Sequence, residues 1–106
     1  MDELTLEELF NKYTDLTKLL DNISNNDKLI LYKYYKQSII GNVNILRPTG
    51  WLDIKGKQKW DVWSQVKGLS KEDAMNSYIN NAKRLIDSNS NGGSNIYEWT
   101  QSFKEK

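Results

Sequence analysis

The sequence contains no cysteine and no histidine. It therefore cannot form a disulfide, present a thiol nucleophile, or build the imidazole and thiolate sites that hold most transition metals. The side chain most often used as a general base near neutral pH is also missing. These absences argue against an enzyme, and we expect neither a metal site nor a cofactor.

Long apolar runs are missing as well. No stretch approaches the roughly 18–20 apolar residues that a membrane span needs. The N-terminal segment is acidic and lacks the apolar core of a signal peptide. From these features we expect a cytoplasmic protein without stable membrane insertion, and 106 residues suit a single domain.

The apolar residues recur at helical spacing in four segments. The first covers about residues 5–20, where Thr5 and Glu8 have capping-box spacing. The second covers about 27–40, with Asn26 or Asp27 as its cap. The third covers about 54–66, and the fourth follows Ser70, a good N-cap, to about residue 87.

The only proline lies between the second and third segments, in residues 42–52. This stretch is expected to be an ordered loop that packs on the helices through its apolar residues, Val43, Ile45, Leu46, Trp51 and Leu52. No pair of strands with hairpin chemistry occurs. The pattern therefore predicts an all-α protein, a four-helix bundle formed by residues 1–88. Residues 89–106 are interpreted as a polar Gly/Ser/Asn linker with a short tail.

The charges are segregated along the chain, although the net charge is only +1. Residues 1–27 hold two basic and seven acidic residues, whereas residues 28–67 hold eight basic and two acidic ones. A basic middle indicates a local anion site. Alternatively, the acidic first helix neutralises the basic middle, and charge alone does not decide between the two.

One face of the second helix combines aromatic and basic side chains. Tyr32, Tyr35, Lys36 and Ile39 are spaced i, i+3, i+4 and i+7, which places them on the same side. A lysine at the centre of a buried stripe is costly, so this face fits a ligand that is both aromatic and anionic. The alternative is that Lys36 reaches solvent from the edge of the stripe while the tyrosines fill the core.

The third helix adds a basic cluster. Lys55, Lys59 and Trp63 are spaced four apart, and charge-assisted hydrogen bonds to phosphate would relieve the repulsion between the lysines. The alternative is a solvated basic face. Tyr78 of the fourth helix fits either a ligand contact or ordinary core. Nucleic acid is disfavoured as a partner, because the basic excess is local and no helix carries an arginine-rich face.

The order of residues closely resembles the acyl-coenzyme A-binding protein family, over about residues 5–87. The runs that carry the resemblance are LYKYYKQ at 31–37, GNVN at 41–44, RP at 47–48, LD at 52–53, KGKQKWDVW at 55–63, KGLSKEDAM at 67–75 and YI at 78–79. The resemblance implies an up-down-down-up bundle with a long loop between helices two and three, and a monomeric carrier of medium- and long-chain acyl-CoA.

The resemblance also implies the site. Tyr32, Tyr35, Lys36, Lys59 and Tyr78 would grip the adenine and 3′-phosphate of coenzyme A, and Leu29 would line an apolar groove for the acyl chain.

The chain departs from the family pattern at three places. The stretch around Thr49–Trp51 is one residue longer. Thr17 stands where the family often has a nucleotide-binding lysine, so helix one is left out of the predicted site. Lys28 replaces a usually apolar residue near the acyl groove, where it would shorten or polarise the groove. A helical protein–protein interaction module, engaging a partner through the tail or the Trp51 loop, is the alternative function.

Overall fold

The computed structural model describes residues 3–88. Within them lie four helices, α1 (Leu6–Thr17), α2 (Asn25–Ile39), α3 (Ile54–Gln65) and α4 (Lys71–Ser88), and no strand. The all-α prediction is confirmed, as an up-down-down-up four-helix bundle with its long loop between α2 and α3. The predicted linker and tail at 89–106 lie outside the described residues. None of the described helices is long and apolar enough to cross a bilayer.

Polar side chains fix where the helices begin. Thr5 caps α1 through the predicted capping box, in which Thr5 Oγ1 accepts from Glu8 N–H at 3.1 Å and Glu8 Oε1 accepts from Thr5 N–H at 2.9 Å. Ser70 caps α4, as predicted, by accepting the Asp73 N–H at 3.0 Å. These contacts satisfy backbone donors that have no partner inside the helix.

The predicted cap of α2 was wrong. Ser24, with extended backbone angles, accepts the N–H of Asp27 at 3.1 Å, so the helix begins at Asn25. Asn26 and Asp27, the predicted caps, lie inside the first turn. All three residue types favour N-cap positions, and composition alone could not rank them.

The hydrophobic core lies between α1, α2 and α4. Its buried residues are Phe10, Tyr13, Leu16 and Leu20 from the first part of the chain, Leu31 from α2, and Met75, Tyr78, Ile79, Ala82, Leu85 and Ile86 from α4. Extensive packing joins α4 to both α1 and α2, whereas α3 packs extensively on α2 alone among the described elements. Helix α2 is therefore shared by both sides of the bundle.

The loop at residues 40–53 is anchored by polar contacts. Trp60 Nε1 donates to the carbonyl of Ile45 at 2.8 Å, and Trp63 Nε1 donates to the carbonyl of Gly41 at 2.9 Å. Arg47 forms a bidentate ion pair with Asp61 of α3, with N–O distances of 2.8 and 3.0 Å. The loop is thus tied to α3 by its main chain and by one guanidinium.

The prediction that the apolar loop residues pack on the helices was wrong for four of the five. Val43 is half-buried, but Ile45, Leu46, Trp51 and Leu52 are 57%, 91%, 81% and 73% exposed. The polar anchors hold the loop without them, and the bundle core is filled from the helices instead. Apolar composition was therefore a poor guide to burial in this segment.

Candidate functional site

A cleft of about 220 Å³ lies between α2 and α3. It brings together three of the predicted site residues, Leu29 and Tyr32 of α2 and Lys59 of α3, which are distant along the chain. The rest of its lining consists of Asn25, Lys28, Lys55 and Gln58. Three ammonium groups thus surround one cleft, as expected for a site that receives an anion.

Lys59 and Tyr32 are in direct contact across this cleft. Lys59 Nζ lies 5.4 Å from the centroid of the Tyr32 ring, within the range of a cation–π interaction. Burial raises the pKa of Tyr32, so its hydroxyl stays protonated at neutral pH. The pair therefore presents a charged donor and a neutral donor side by side, which suits a phosphate group.

The charge distribution supports an anion site over internal neutralisation. In the part of the chain that the structure describes, the salt bridges join Asp15 to Lys18, Arg47 to Asp61, and Asp27 to Arg84. None of them joins an acid of residues 1–27 to a base of residues 28–67. The lysines of the cleft consequently form no salt bridge within residues 3–88.

Tyr35 and Tyr78 meet further along α2, outside the lining of the cleft. Their ring centroids are 6.2 Å apart, and Phe10 of α1 contacts both rings, at 6.0 Å from Tyr35 and 5.1 Å from Tyr78. Tyr35 remains 41% exposed, whereas Tyr78 is only 5% exposed and belongs to the core. The exposed ring of Tyr35 can stack on a planar ligand group, and Phe10 and Tyr78 support it from behind.

The hydroxyl of Tyr78 is already engaged by Thr17 of α1. The two oxygens are 2.9 Å apart, and Thr17 Oγ1 also donates to the carbonyl of Thr14 at 2.9 Å. Because Thr17 has only one hydroxyl proton, Tyr78 must be the donor in the pair. Burial raises the pKa of Tyr78, so its hydroxyl keeps the proton that it donates to Thr17.

Thr17 is the residue that sequence reasoning left out. Position alone linked it to a nucleotide contact in the family, and a threonine cannot supply the charge of a lysine. Its contact with Tyr78 depends on how α1 packs on α4, for which the sequence carries no local signal. Helix one therefore reaches the predicted site residues through this hydroxyl.

Lys36 lies between α2 and α3. Its Nζ is 5.0 Å from the Trp63 ring, and Trp63 itself is only 1% exposed. The Lys36 side chain is half-buried, and its ammonium group faces the Trp63 ring in a cation–π contact. The alternative in which the tyrosines of this face fill the core does not hold for Tyr35, whose side chain is 41% exposed.

The six predicted residues, which come from α2, α3 and α4, therefore form three groups around α2. Leu29, Tyr32 and Lys59 line the cleft, Tyr35 contacts Tyr78, and Lys36 contacts Trp63. Tyr35, Lys36 and Tyr78 are outside the lining of the cleft.

A wider depression of about 560 Å³ lies at the N-terminal ends of α1 and α4 and contains none of the six. Its lining includes Glu7 and Glu72 against one lysine, Lys71, so the net charge of the lining disfavours an anion. Size alone would favour this depression, but the chemistry of the lining favours the cleft between α2 and α3.

Comparison with known proteins decides the family. A family model described as acyl CoA binding protein matches residues 7–82. The chain belongs to this family. The acyl-CoA-binding domain-containing protein 2 of Oryza sativa subsp. japonica is 46% identical over 83 residues, which are 77% of this chain and 90% of that protein. An acyl-CoA-binding protein of Ricinus communis is 43% identical over 82 residues, covering 76% and 90%.

Solved structures of the family have the same fold as this chain. The crystal structure of Oryza sativa acyl-CoA-binding protein 2 superposes with a TM-score of 0.76 at 45% identity, covering 81% of this chain and 96% of that one. The crystal structure of the acyl-CoA-binding protein of Moniliophthora perniciosa gives a TM-score of 0.81 at 27% identity, covering 99% and 100%.

Proposed function

We propose that this protein is a non-catalytic carrier that binds medium- and long-chain acyl-CoA esters. Membership of the family supports the ligand class. The observation that carries the proposal is the contact of Lys59 with Tyr32 in a cleft that Lys28 and Lys55 also line. An aromatic ring and several ammonium groups at one cleft match a ligand that combines a nucleotide with phosphates.

Each predicted residue receives a role that fits its surroundings. Tyr32 and Lys59 donate to the 3′-phosphate, and Lys36 adds charge beside them. Tyr35 offers its exposed ring to the adenine, held in place by the ring of Tyr78. Leu29, which lines the cleft, contacts the acyl chain.

Tyr78 has a modified role in this proposal. Its hydroxyl donates to Thr17, so it binds phosphate directly only if it gives up that hydrogen bond. We therefore assign Tyr78 mainly to positioning Tyr35.

The energetics favour a carrier. Burial of each acyl methylene contributes up to about 0.8 kcal/mol, so the acyl chain can supply much of the affinity and the phosphate contacts much of the selectivity. Without cysteine or histidine, the chain lacks the usual nucleophile and base for thioester cleavage. Sequestration of the intact ester, in a monomeric protein of the cytosol, is the role that we propose.

Titration calorimetry tests the proposal. Hexadecanoyl-CoA should bind in a one-to-one complex with submicromolar affinity, and hexadecanoate should bind far more weakly. The same ester of dephospho-CoA should bind with intermediate affinity, because only the 3′-phosphate contacts are lost. Equal affinities for the ester and the free acid would reject the nucleotide grip.

A chain that ignores all three ligands would instead support a protein-interaction module. The thioester should also remain intact after long incubation with the protein, and its hydrolysis at a rate above the buffer control would contradict a carrier.

A further inference from the structure

The loop between α2 and α3 carries an unusual set of exposed apolar side chains. The loop patch consists of Ile45, Leu46, Trp51, Leu52 and Ile54, which are 57–91% exposed. The other large apolar side chains at the surface of the described residues are all below 50% exposed. Five such residues within ten positions mark an interaction site, since isolated exposed residues are normal but clusters are not.

The loop patch is displayed on an ordered loop. Trp60 Nε1 donates to the main-chain carbonyl of Ile45, and the Arg47 side chain pairs with Asp61 of α3. At the end of the loop, the Asp53 carboxylate accepts the Gly56 N–H at 3.0 Å. The apolar side chains are therefore presented to solvent while the backbone that carries them is fixed.

Basic residues follow the patch immediately. Lys55, Lys57 and Lys59 come in the first turns of α3, and Asp53 is the only acid in residues 45–60. Arg47 is neutralised by Asp61, so the charge next to the patch comes from the lysines. An exposed tryptophan, several aliphatic side chains and adjacent lysines form the combination that favours an interface between acyl chains and anionic headgroups.

We propose that the loop patch docks this protein on the surface of an anionic lipid bilayer. Leu46, Trp51 and Leu52 enter the interfacial layer, and the α3 lysines contact the headgroups. This is peripheral attachment, which requires no membrane span.

Charge argues against a second copy of the chain as the occupant. A symmetric contact through the loop patch would place the α3 lysines of the two copies near each other. Like charges that are brought together in this way oppose association. A bilayer with anionic lipid supplies the opposite charge, and it needs no shaped groove to receive the side chains.

Co-sedimentation with vesicles tests the proposal. The full chain should bind vesicles of phosphatidylcholine and phosphatidylserine, bind pure phosphatidylcholine less, and dissociate as salt is raised, because salt screens the lysine contacts. The double variant Leu46→Ser/Leu52→Ser should lower the partition coefficient on the mixed vesicles by roughly ten-fold or more. Leu4→Ser/Leu19→Ser is the matched control, since both residues are exposed but lie outside the patch, and it should bind like the native chain.

Brominated lipids identify the residue that enters the bilayer. Mixed vesicles that contain brominated lipid should quench the tryptophan fluorescence of the native chain. Trp51→Phe should remove most of this quenching, while the variant still binds the vesicles. Absence of binding to the mixed vesicles, or equal losses in the two double variants, would overturn the proposal.

Two measurements without lipid distinguish other occupants. Leu46→Ser/Leu52→Ser should bind hexadecanoyl-CoA in solution with native affinity; a large loss would assign the patch to the acyl chain of the ligand and overturn the proposal. Sedimentation velocity should show no dimer that depends on the patch, and a native dimer lost in this variant would assign the patch to a second copy. The first measurement rests on the proposed function, whereas sedimentation velocity and the vesicle experiments do not depend on it.

Discussion

The hydroxyl of Tyr78 donates to Thr17 Oγ1 across the packing of α4 on α1, with 2.9 Å between the oxygens. The Thr17 hydroxyl in turn donates to the carbonyl of Thr14, so the three groups form a chain of hydrogen bonds that ends on the α1 backbone. Tyr78 is almost fully buried and Thr17 is 9% exposed. Because this buried phenol depends on Thr17 as its acceptor, the bundle should be sensitive to the loss of one hydroxyl group.

Replacement of Thr17 by valine should leave the Tyr78 hydroxyl without its acceptor. We expect the free energy of unfolding to fall by about 1–3 kcal/mol, the cost of an unsatisfied buried polar group. Tyr78→Phe should cost less, since Thr17 keeps its bond to Thr14. The double variant should be about as stable as Tyr78→Phe alone, and therefore more stable than Thr17→Val. Urea unfolding measures the stability of all three variants.

Thr14→Val serves as the control for this cycle, because the Thr14 hydroxyl bonds only to the Asn11 carbonyl of its own helix. It should change the stability by less than about 0.5 kcal/mol. If Thr17→Val were as harmless as the control, the buried hydrogen bond would contribute nothing.

Removal of the Lys59 ammonium should weaken the grip on the 3′-phosphate. We expect Lys59→Ala to reduce the affinity for hexadecanoyl-CoA by about ten-fold or more, the value of a charge-assisted hydrogen bond. The loss should be much smaller for the dephospho ligand, which calorimetry with both ligands would reveal. Lys33→Ala is a matched control, because Lys33 Nζ lies at 5.2 Å from the Tyr34 ring in the same kind of contact outside the predicted site. Equal losses for the two ligands would contradict the phosphate assignment.

Replacement of Lys28 by methionine should make the cleft between α2 and α3 less polar. Lys28 lines this cleft beside Leu29, so its ammonium is close to the path proposed for the acyl chain. We expect Lys28→Met to raise the ratio of affinities for hexadecanoyl-CoA over octanoyl-CoA, because more methylenes then lose contact with water. Lys67→Met, away from the cleft, should leave the ratio unchanged, and a ratio unaltered in both variants would remove Lys28 from the groove.

The ion pair of Arg47 and Asp61 should be lost at acid pH, when the Asp61 carboxylate becomes protonated. The hydrogen bonds from Arg47 hold the pKa of Asp61 below its ordinary value of 3.8. Because the pKa of Asp61 is lower in the folded state, the pair stabilises the fold at pH values above the ordinary pKa. This contribution is lost as the pH falls through the folded-state pKa. In a carboxyl NMR titration, Arg47→Gln should move the pKa of Asp61 back up, whereas Arg84→Gln should not. A pKa of Asp61 indifferent to Arg47 would show that the pair does not form in solution.

Helix positions could be predicted from the sequence because they depend on local patterns. The spacing of Leu6, Phe10, Tyr13 and Leu16 determines which side of α1 is buried, and Thr5 and Ser70 cap the helices at which they were predicted. Ser24 was missed because several good caps lie together in residues 21–27 and only the backbone angles select one of them.

The site was harder to predict, because it depends on contacts between helices. The spacing of Tyr32 and Lys59 within their own helices indicated an anion site, and the packing of α3 on α2 brings the two together. The role of Thr17 and the exposure of Trp51 could not be predicted in this way. The first depends on one hydroxyl group that meets another across a helix interface, and the second on a loop that is anchored by its backbone instead of its apolar side chains.

Among the described helices, α3 packs extensively on α2 alone, and this has a consequence for local unfolding of the protein. A helix with a single extensive neighbour can detach without disrupting the core between α1, α2 and α4, so its amides should exchange with deuterium sooner than those of α4. A ligand held by Tyr32 on one side and Lys59 on the other would act as a second fastening. A ligand-induced slowing of exchange that is larger in α3 than in α1 or α4 would then be the mark of occupancy, even where the average coordinates do not change.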